Sequence, residues 1–384
     1  MHRRKLLLSV LLVAGFASRA QAIPRYTAQY RQNCTLCHVN PTGGAMRGLY
    51  ASQYIVPKEM SLTKMTDEQI ARIQPKISES ITLGTDLRAA HFYATEKQAG
   101  RNFFEMQGDL YVSWTIDDKI SANLNVDQIG SVESYALAWV LPASGYVKAG
   151  RFTPVFGWKH ADHNLFTREE LGFDQPFNTD AGVEVGFYPK HVAFWASILN
   201  GEPGANTLFD SNNQLAYVGS ALAQATVRDI GIGLGGTIWY NDEDPVQSSA
   251  NPGRRTMGGP FGYLNWERWT WLWEVDASRL LTPAAGSNPG SVKTALMTSH
   301  ELSFAVRPGL AVVANYNYVD RNLDLKSGIK QRYGLGVDVM PRPFVQFQAQ
   351  LNVFDTSGQD PAQNPPDVRE PDFVRSEVQL HLFY

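Results

Sequence analysis

Residues 344–354 read FVQFQAQLNVF and alternate between apolar and polar side chains. Successive side chains of a β-strand point to opposite faces of the sheet, so residues two apart share a face. This stretch therefore predicts a strand with one apolar face and one polar face. The apolar face would carry Val345, Phe347, Ala349, Leu351 and Val353, and the polar face Gln346, Gln348, Gln350 and Asn352.

The same two-residue period recurs along most of the chain. Residues 269–275 read WTWLWEV and place three tryptophans on one face. Residues 373–384 read FVRSEVQLHLFY and alternate in the same way. Because the pattern dominates from about Ile77 onward, it indicates an all-β fold for residues 77–384.

The connections between the predicted strands alternate between short and long. The short ones lie near residues 117–119, 142–145, 189–190, 228–229, 307–309 and 341–343. The long polar ones lie at roughly 152–179, 200–213, 241–257, 282–292, 320–330 and 355–370. A soluble sandwich also alternates along its strands, but a transmembrane barrel has short turns at one end and long loops at the other. The connections therefore favour a transmembrane antiparallel β-barrel of about 16 strands, a porin-like domain.

Strand length and aromatic residues support a barrel. Segments such as 228–240 and 343–354 hold about a dozen residues, enough to cross the hydrocarbon core as tilted strands. The chain ends on Tyr384 after apolar residues at alternate positions, which resembles the insertion signal of outer-membrane barrels. Aromatic residues near strand ends are typical of the girdles at the two membrane interfaces. We expect these girdles to include Trp114, Trp158, Trp195, Trp239, Tyr240 and Phe354.

The chain begins with a predicted export signal, MHRRKLLLSVLLVAGFASRAQA, at residues 1–22. A basic start, a short apolar run and a small-residue site are typical of a secretory signal peptide, cleaved here before Ile23. A retained N-terminal anchor is the alternative. The formal net charge is −3 and no basic patch stands out, so the sequence gives no sign of nucleic-acid binding.

Residues 23–76 lack the alternation and form a separate N-terminal module. Its central feature is Cys34-Thr35-Leu36-Cys37-His38, which contains the only two cysteines of the chain. The C-x-x-C-H spacing is that of c-type haem attachment. Two thiols three residues apart can form thioethers with the two vinyl groups of one haem, and the adjacent His38 can ligate the iron. Covalent attachment also allows a short segment to hold haem without a large hydrophobic core.

Three other readings of the cysteine pair stay open. A disulfide between Cys34 and Cys37 would persist in an oxidising compartment. A zinc site is a second alternative, although no further ligands follow at the usual spacing. A thioredoxin-type motif would require a βαβ context. If haem is bound, Met46 is the first candidate for the sixth iron ligand and His91 the next, while Met60 and Met65 flank a helical segment.

An export signal, one C-x-x-C-H and a barrel ending in an aromatic residue resemble the fused monohaem cytochrome–porins of the bacterial outer membrane. This resemblance implies one covalent haem c, attached through Cys34 and Cys37 and ligated by His38. It also implies electron transfer, with a periplasmic cytochrome as one partner and an extracellular donor or acceptor as the other. The stretch HVNPTGG departs from the iron-oxidising members. Residues 149–157, AGRFTPVFG, resemble a segment of anion-selective porins.

Three functions follow from these features. The leading hypothesis is an electron relay across the outer membrane through one haem. The alternative is a diffusion porin whose N-terminal module is a plug or partner dock. A third is an extracellular metal oxidoreductase that uses the haem or the His-rich loop 152–179, although we expect that loop to fold inward as a constriction. In the porin reading, the residues facing the lumen would be Arg268, Gln346, Gln348, Arg375 and Glu377.

Overall fold

The structure of the chain is a computed structural model. It describes residues 24–95, 100–127, 132–160, 165–171, 179–201, 214–242, 254–282, 291–324, 328–357 and 372–384. The predicted signal peptide at residues 1–22 lies outside the described residues, so its cleavage stays a prediction.

Sixteen antiparallel strands form a closed barrel, as the alternation and the connections predict. Each strand pairs with the next along the chain, and β16 pairs with β1 to close the sheet. The strands are β1 Ile81–Ala94, β2 Arg101–Thr115, β3 Ile120–Asp127, β4 Val132–Leu141, β5 Gly145–Phe152, β6 Asp180–Phe187, β7 Val192–Leu199, β8 Ala216–Val227, β9 Ile230–Asp242, β10 Arg254–Trp266, β11 Trp269–Thr282, β12 Ser291–Arg307, β13 Leu310–Asp320, β14 Ile329–Arg342, β15 Val345–Ser357 and β16 Phe373–Phe383.

The two faces of the strands have the predicted character. In β15, Leu351 points outward and is 48% exposed, while Gln346 and Asn352 point inward and are fully buried. Leu335 of β14 pairs with Leu351 and is likewise exposed. An apolar outer face around a closed sheet is the arrangement by which strands span a lipid bilayer.

Tight turns join the strands at one end of the barrel. Arg228 and Asp229 connect β8 to β9, and Glu267 and Arg268 connect β10 to β11. Arg228 and Glu267 adopt left-handed φ angles of 54° and 51°, as two-residue hairpins require. Arg268 therefore lies in an exposed turn, where it donates to the Val306 carbonyl. Its predicted place in the lumen is wrong, because the strand ends before it.

Short helical segments make up the N-terminal module. They are α1 Pro24–Tyr30, a 3₁₀ turn Cys34–Leu36, a π-helical turn Ala51–Ile55, α2 Val56–Lys58 and α3 Asp67–Arg72, and a further helix, α4 Phe166–Leu171, lies between β5 and β6. Helix α3 begins with a capping box, in which the Thr66 hydroxyl accepts from the Gln69 amide while the Gln69 side chain accepts from the Thr66 amide. No helix among the described residues is long and apolar enough to cross a membrane.

The N-terminal module packs inside the barrel. Helix α1 packs against β9, β10 and β11. The Arg25 guanidinium pairs with Glu301 of β12 at 2.9 Å and with Asp338 of β14 at 3.1 Å. At the other side of the lumen, the Lys148 amine of β5 donates to the Asn40 side chain at 3.4 Å. The module therefore reaches across the lumen from wall to wall.

The last residue closes the barrel and touches the N-terminal module. Tyr384 and Thr85 exchange two backbone hydrogen bonds, with N···O distances of 2.8 and 3.0 Å. The Tyr384 hydroxyl donates to the Ile73 carbonyl at 2.6 Å. The chain end thus joins the seam between β1 and β16 to the segment that precedes β1.

Three of the aromatic residues expected in the membrane girdles lie inside the barrel. Trp158 and Trp239 are 5% and 2% exposed and belong to buried clusters. Trp195 packs against the same clusters and donates from its indole nitrogen to Tyr188. Trp114 is 52% exposed and keeps its predicted outward place. The girdle prediction fails because a filled lumen needs large apolar side chains on its inner wall, as a soluble core does.

Candidate cofactor site

The C-x-x-C-H motif forms one tight turn. The Cys37 and His38 amides both donate to the Cys34 carbonyl, at 3.1 and 2.9 Å. Residues 34–36 therefore form a 3₁₀ turn, which brings both thiols and the imidazole to one small region. Both cysteines are free thiols, so the alternative of a disulfide is not formed in this structure.

A glycine turn packs directly against this motif. The Gly43 amide donates to the Asn40 carbonyl at 2.9 Å, and Gly43 has a φ of 84°. A Cβ atom at Gly43 would lie 3.2 Å from the Cys34 sulfur. Glycine is needed here for both the left-handed backbone and the close approach to the thiol. The PTGG segment thus turns tightly beside Cys34.

His38 is buried beside two positive charges. It is 8% exposed, and its Nδ1 atom has no hydrogen-bond partner among the described residues. Burial, followed by the positive charges of Arg47 and Lys159, lowers the His38 pKa to about 3. The imidazole is therefore uncharged at neutral pH, which is the form that binds metal ions.

The two thiols are also uncharged. Burial raises the pKa of the Cys34 thiol and raises that of the Cys37 thiol to about 11. A reactive redox thiol has a lowered pKa instead. These environments suit buried sulfur atoms better than a thioredoxin-type exchange centre.

The motif lines an apolar cavity inside the barrel. The cavity holds about 1240 Å³ of space free of atoms, including the part open to solvent. One side consists of module residues that include Cys34, Cys37 and His38. The barrel wall supplies the opposite side, formed by Trp195, Leu222 and Phe261.

The long connection between β5 and β6 forms the third side of the cavity. The Trp158 amide donates to the Glu274 carboxylate at 2.9 Å, and its indole donates to the Gly262 carbonyl at 3.1 Å. Arg168 from the same connection pairs with Glu274 at 3.1 Å. These contacts hold residues 153–160 and 165–171 against the inner wall. We expected the loop 152–179 to fold inward, and its described residues confirm this.

A covalent haem fits this arrangement. Two free thiols and a neutral imidazole with an unpartnered nitrogen share one wall of the cavity. The remaining lining is largely apolar, and Arg47 and Lys159 add positive charge that would suit the two carboxylates of a haem. Bound there, the haem would supply a one-electron couple. The cofactor itself stays a prediction.

Both expected sixth ligands lie outside the cavity lining. Met46 is buried against β1, where its Cγ would lie 3.2 Å from a Cβ added at Gly84. His91 is on the outward face of β1, with its ring centroid 4.4 Å from that of Phe103, a side chain that is 86% exposed. Neither residue lines the cavity that His38 faces, so the structure supports neither as an iron ligand. Met60, named only as flanking a helix, does line it.

The His-rich loop offers no metal site within its described part. His160 lines a polar cavity in the lumen, whereas Asp162, His163 and Asp174 lie outside the described residues. Asp180 accepts from the Gly201 amide at 2.7 Å and so has a structural role. Across the described ranges, no three His, Cys, Asp or Glu side chains converge on a point that could hold a metal ion. The zinc alternative therefore lacks ligands there.

A second, polar cavity occupies another part of the lumen. It is lined by Arg25, Glu301 and Asp338, the residues of the buried ion pairs, and by Gln348 and Glu377 from the barrel wall. The predicted lumen positions of Gln348 and Glu377 are thus confirmed. Gln346 also faces the lumen, where it donates to Asp338 at 3.0 Å.

Solved structures with the same fold are outer-membrane porins. OmpT, an outer membrane protein of Vibrio cholerae, matches with a TM-score of 0.56 at 13% identity, over 80% of this chain and 100% of that one. The anion-selective porin from Comamonas acidovorans matches with a TM-score of 0.54 at 10% identity, over 79% and 99%. OprB of Pseudomonas putida matches with 0.58 at 7% identity, over 86% and 100%. No family model and no curated protein matches the sequence.

Proposed function

We propose that this chain is a porin-type barrel of the bacterial outer membrane whose N-terminal module plugs its lumen. The observation that carries the proposal is the ring of contacts between the module and the inner wall. The module contacts β5, β9, β10, β11, β12 and β14. Arg47 completes the ring, with its guanidinium 3.7 Å from the Phe383 ring of β16.

The comparisons support a porin-type function more directly than any other. The matched porins and channels align over nearly their whole length, while about a fifth of this chain has no counterpart in the first of them. The residues that precede the barrel make up a similar share of the chain. A shared barrel with an added plug predicts restricted diffusion of solutes, controlled by how firmly residues 24–76 stay seated.

Conductance in planar lipid bilayers tests the plug. The full chain should show small or rare current steps, because a module packed across the lumen would narrow the path for solutes. Cell fractionation should recover it with the outer membrane. Large, long-lived steps from the intact protein would mean that the lumen is open and would overturn the plug.

A specific observation favours a second function, electron relay through a covalent haem. The apolar cavity lies where the N-terminal module meets the connection between β5 and β6. The module reaches the end of the tight turns, where Arg31 donates to the Asp229 carbonyl, and the β5–β6 connection enters from the opposite end. A haem held between them would shorten electron transfer across a hydrocarbon core of about 30 Å. A periplasmic cytochrome and an extracellular donor or acceptor would complete the path.

Two measurements test the relay. Coexpression with a cytochrome c maturation system should give one covalent haem per chain, visible in the ferrous absorption spectrum and on denaturing gels. Liposomes loaded with ferricyanide should then bleach when dithionite is added outside. A variant with Cys34→Ala and Cys37→Ala should lose the covalent haem and the bleaching that depends on it. Any bleaching that remains in this variant measures the leak of dithionite into the liposomes. A parent chain without covalent haem, or bleaching equal in parent and variant, would exclude the relay and leave the plugged porin standing.

A further inference from the structure

Met60 shares the cavity with the haem-attachment motif. It is 6% exposed and lines the cavity together with Cys37 and His38. It also belongs to a buried cluster against which Cys37 packs. Of the described methionines, Met60 alone lines this cavity. A thioether sulfur is therefore available close to the predicted haem.

An irregular helix gives Met60 its direction. The Glu59 and Met60 amides both donate to the Ile55 carbonyl, at 2.9 and 3.2 Å. The segment 51–55 before them is π-helical. A π-turn rotates the residues that follow relative to a regular helix, and such turns are frequent at functional sites. The π-helical segment therefore has a structural consequence, which is that Met60 faces the cavity.

The residues around Met60 hold it in place. The Tyr30 hydroxyl donates to the Glu59 carboxylate at 2.6 Å. Two residues beyond Met60, the Leu62 amide donates to the Met340 carbonyl of β14 at 2.9 Å. Met60 is thus fixed between α1 and the barrel wall, so a ligand role would need little reorganisation of the chain.

We propose that Met60 is the second protein ligand of the haem iron, with His38 as the first. This inference rests on the electron-relay candidate, because it requires the covalent haem. Tyr26, Tyr30 and Lys159 also line the cavity and carry atoms able to bind iron. Burial raises the pKa of Tyr30, which disfavours the phenolate that iron would need. Lys159 already donates its amine to the Gly43 carbonyl at 3.4 Å.

The ligand pair has a chemical consequence. Histidine–methionine ligation raises the reduction potential of a haem relative to ligation by two histidines. The protein would accordingly exchange electrons with partners of relatively high potential. A buried sulfur ligand would also keep small ligands such as carbon monoxide from the ferrous iron.

Spectroscopy of the full-length protein tests this assignment. Met60→Leu keeps an apolar side chain of similar size but has no sulfur. The variant should keep its covalent haem, lose the ferric charge-transfer band typical of methionine–iron ligation, bind carbon monoxide when reduced, and have a lower reduction potential. Met60→His should restore six-coordinate iron at a potential below that of the parent.

Met340→Leu is the matched control. Met340 is buried in the same cluster as Met60 but does not line the cavity. Its substitution should leave the spectrum and the carbon monoxide response unchanged. A parent-like spectrum in Met60→Leu would overturn the assignment while leaving the relay intact. A parent chain without covalent haem would overturn both.

Discussion

Arg25 shows how a single side chain can seat the N-terminal module. Its guanidinium is 3% exposed and binds two carboxylates, of Glu301 and Asp338, from different strands. A buried ion pair does not by itself add much stability, because desolvation offsets the attraction. Removing one partner is costly, since the remaining charges stay buried without compensation. The seated position of the module therefore depends on Arg25, although the ion pairs themselves add little stability.

We expect Arg25→Ala to release the module. Loss of the guanidinium would leave Glu301 and Asp338 without their shared cation and make the seated state less favourable by up to about 3–5 kcal/mol. The variant should conduct more in planar bilayers, and limited proteolysis should cut its N-terminal segment faster, while the heat-modifiable gel mobility of the barrel is kept. Arg31→Ala is the control, because Arg31 makes an exposed hydrogen bond to the Asp229 carbonyl. Equal conductance in both variants would contradict the role of Arg25.

The residues of the site differ in how far the sequence predicts them. Cys34, Cys37 and His38 are adjacent, so their spacing alone places them together. His91 could have been excluded from the sequence, because Asp86 and Arg88 mark the even positions of β1 as the lumen face. Met60 could not have been identified, since its direction depends on a π-helical turn and on contacts with β14.

At the scale of elements, the connection between β5 and β6 depends on long-range contacts. Arg168 and Glu274 are separated by 106 residues and are buried to 1% and 0% exposure. Alternation predicts each strand because a two-residue period is local. No local pattern predicts which carboxylate on the barrel wall receives the loop, and the cavity is therefore invisible in the sequence.

Gly157 tests whether this connection must seat closely on the wall. It has a φ of 51°, and a Cβ atom there would collide with the Glu274 carboxylate. We expect Gly157→Ala to displace the loop, so that the Trp158 amide loses its bond to Glu274 and exchanges its hydrogen faster. The free energy of unfolding of the Gly157→Ala protein should also fall.

Gly100→Ala separates this collision from backbone strain. Gly100 has a φ of 52°, but apart from its chain neighbours no atom of the described residues lies within 4 Å of the position its Cβ would take. Both variants bear a left-handed alanine, which costs roughly 1–2 kcal/mol. Only Gly157→Ala should lower the free energy of unfolding by more than that amount and expose the Trp158 amide. The same decrease in the free energy of unfolding of both variants would show that backbone strain alone accounts for the effect of Gly157→Ala.

For the whole molecule, the sequence predicts the barrel better than its contents. The closed sheet follows from strands that are individually readable and from connections of alternating length. The filled lumen follows only from the diffusion-porin alternative, because segments without alternation carry no signal of where they pack. The inward place of Trp158 and Trp239 is a consequence of that filling, and it explains why two of the expected girdle residues are core residues instead.

The outer surface of the barrel gives the last prediction. Leu351 lies at the middle of β15, with Leu335 beside it on β14, and both are largely exposed. If this surface faces hydrocarbon, Leu351→Arg should lower the free energy of unfolding from lipid bilayers by roughly 2–4 kcal/mol. Gln350→Arg is the control, because Gln350 lines the polar cavity and pairs with Glu377 on β16. An arginine there would face an acidic neighbour and water, so it should cost much less. Urea titrations of the folded protein in bilayers measure the free energy of unfolding of both variants. Equal decreases in the two variants would mean that the outer face of β15 is not buried in lipid.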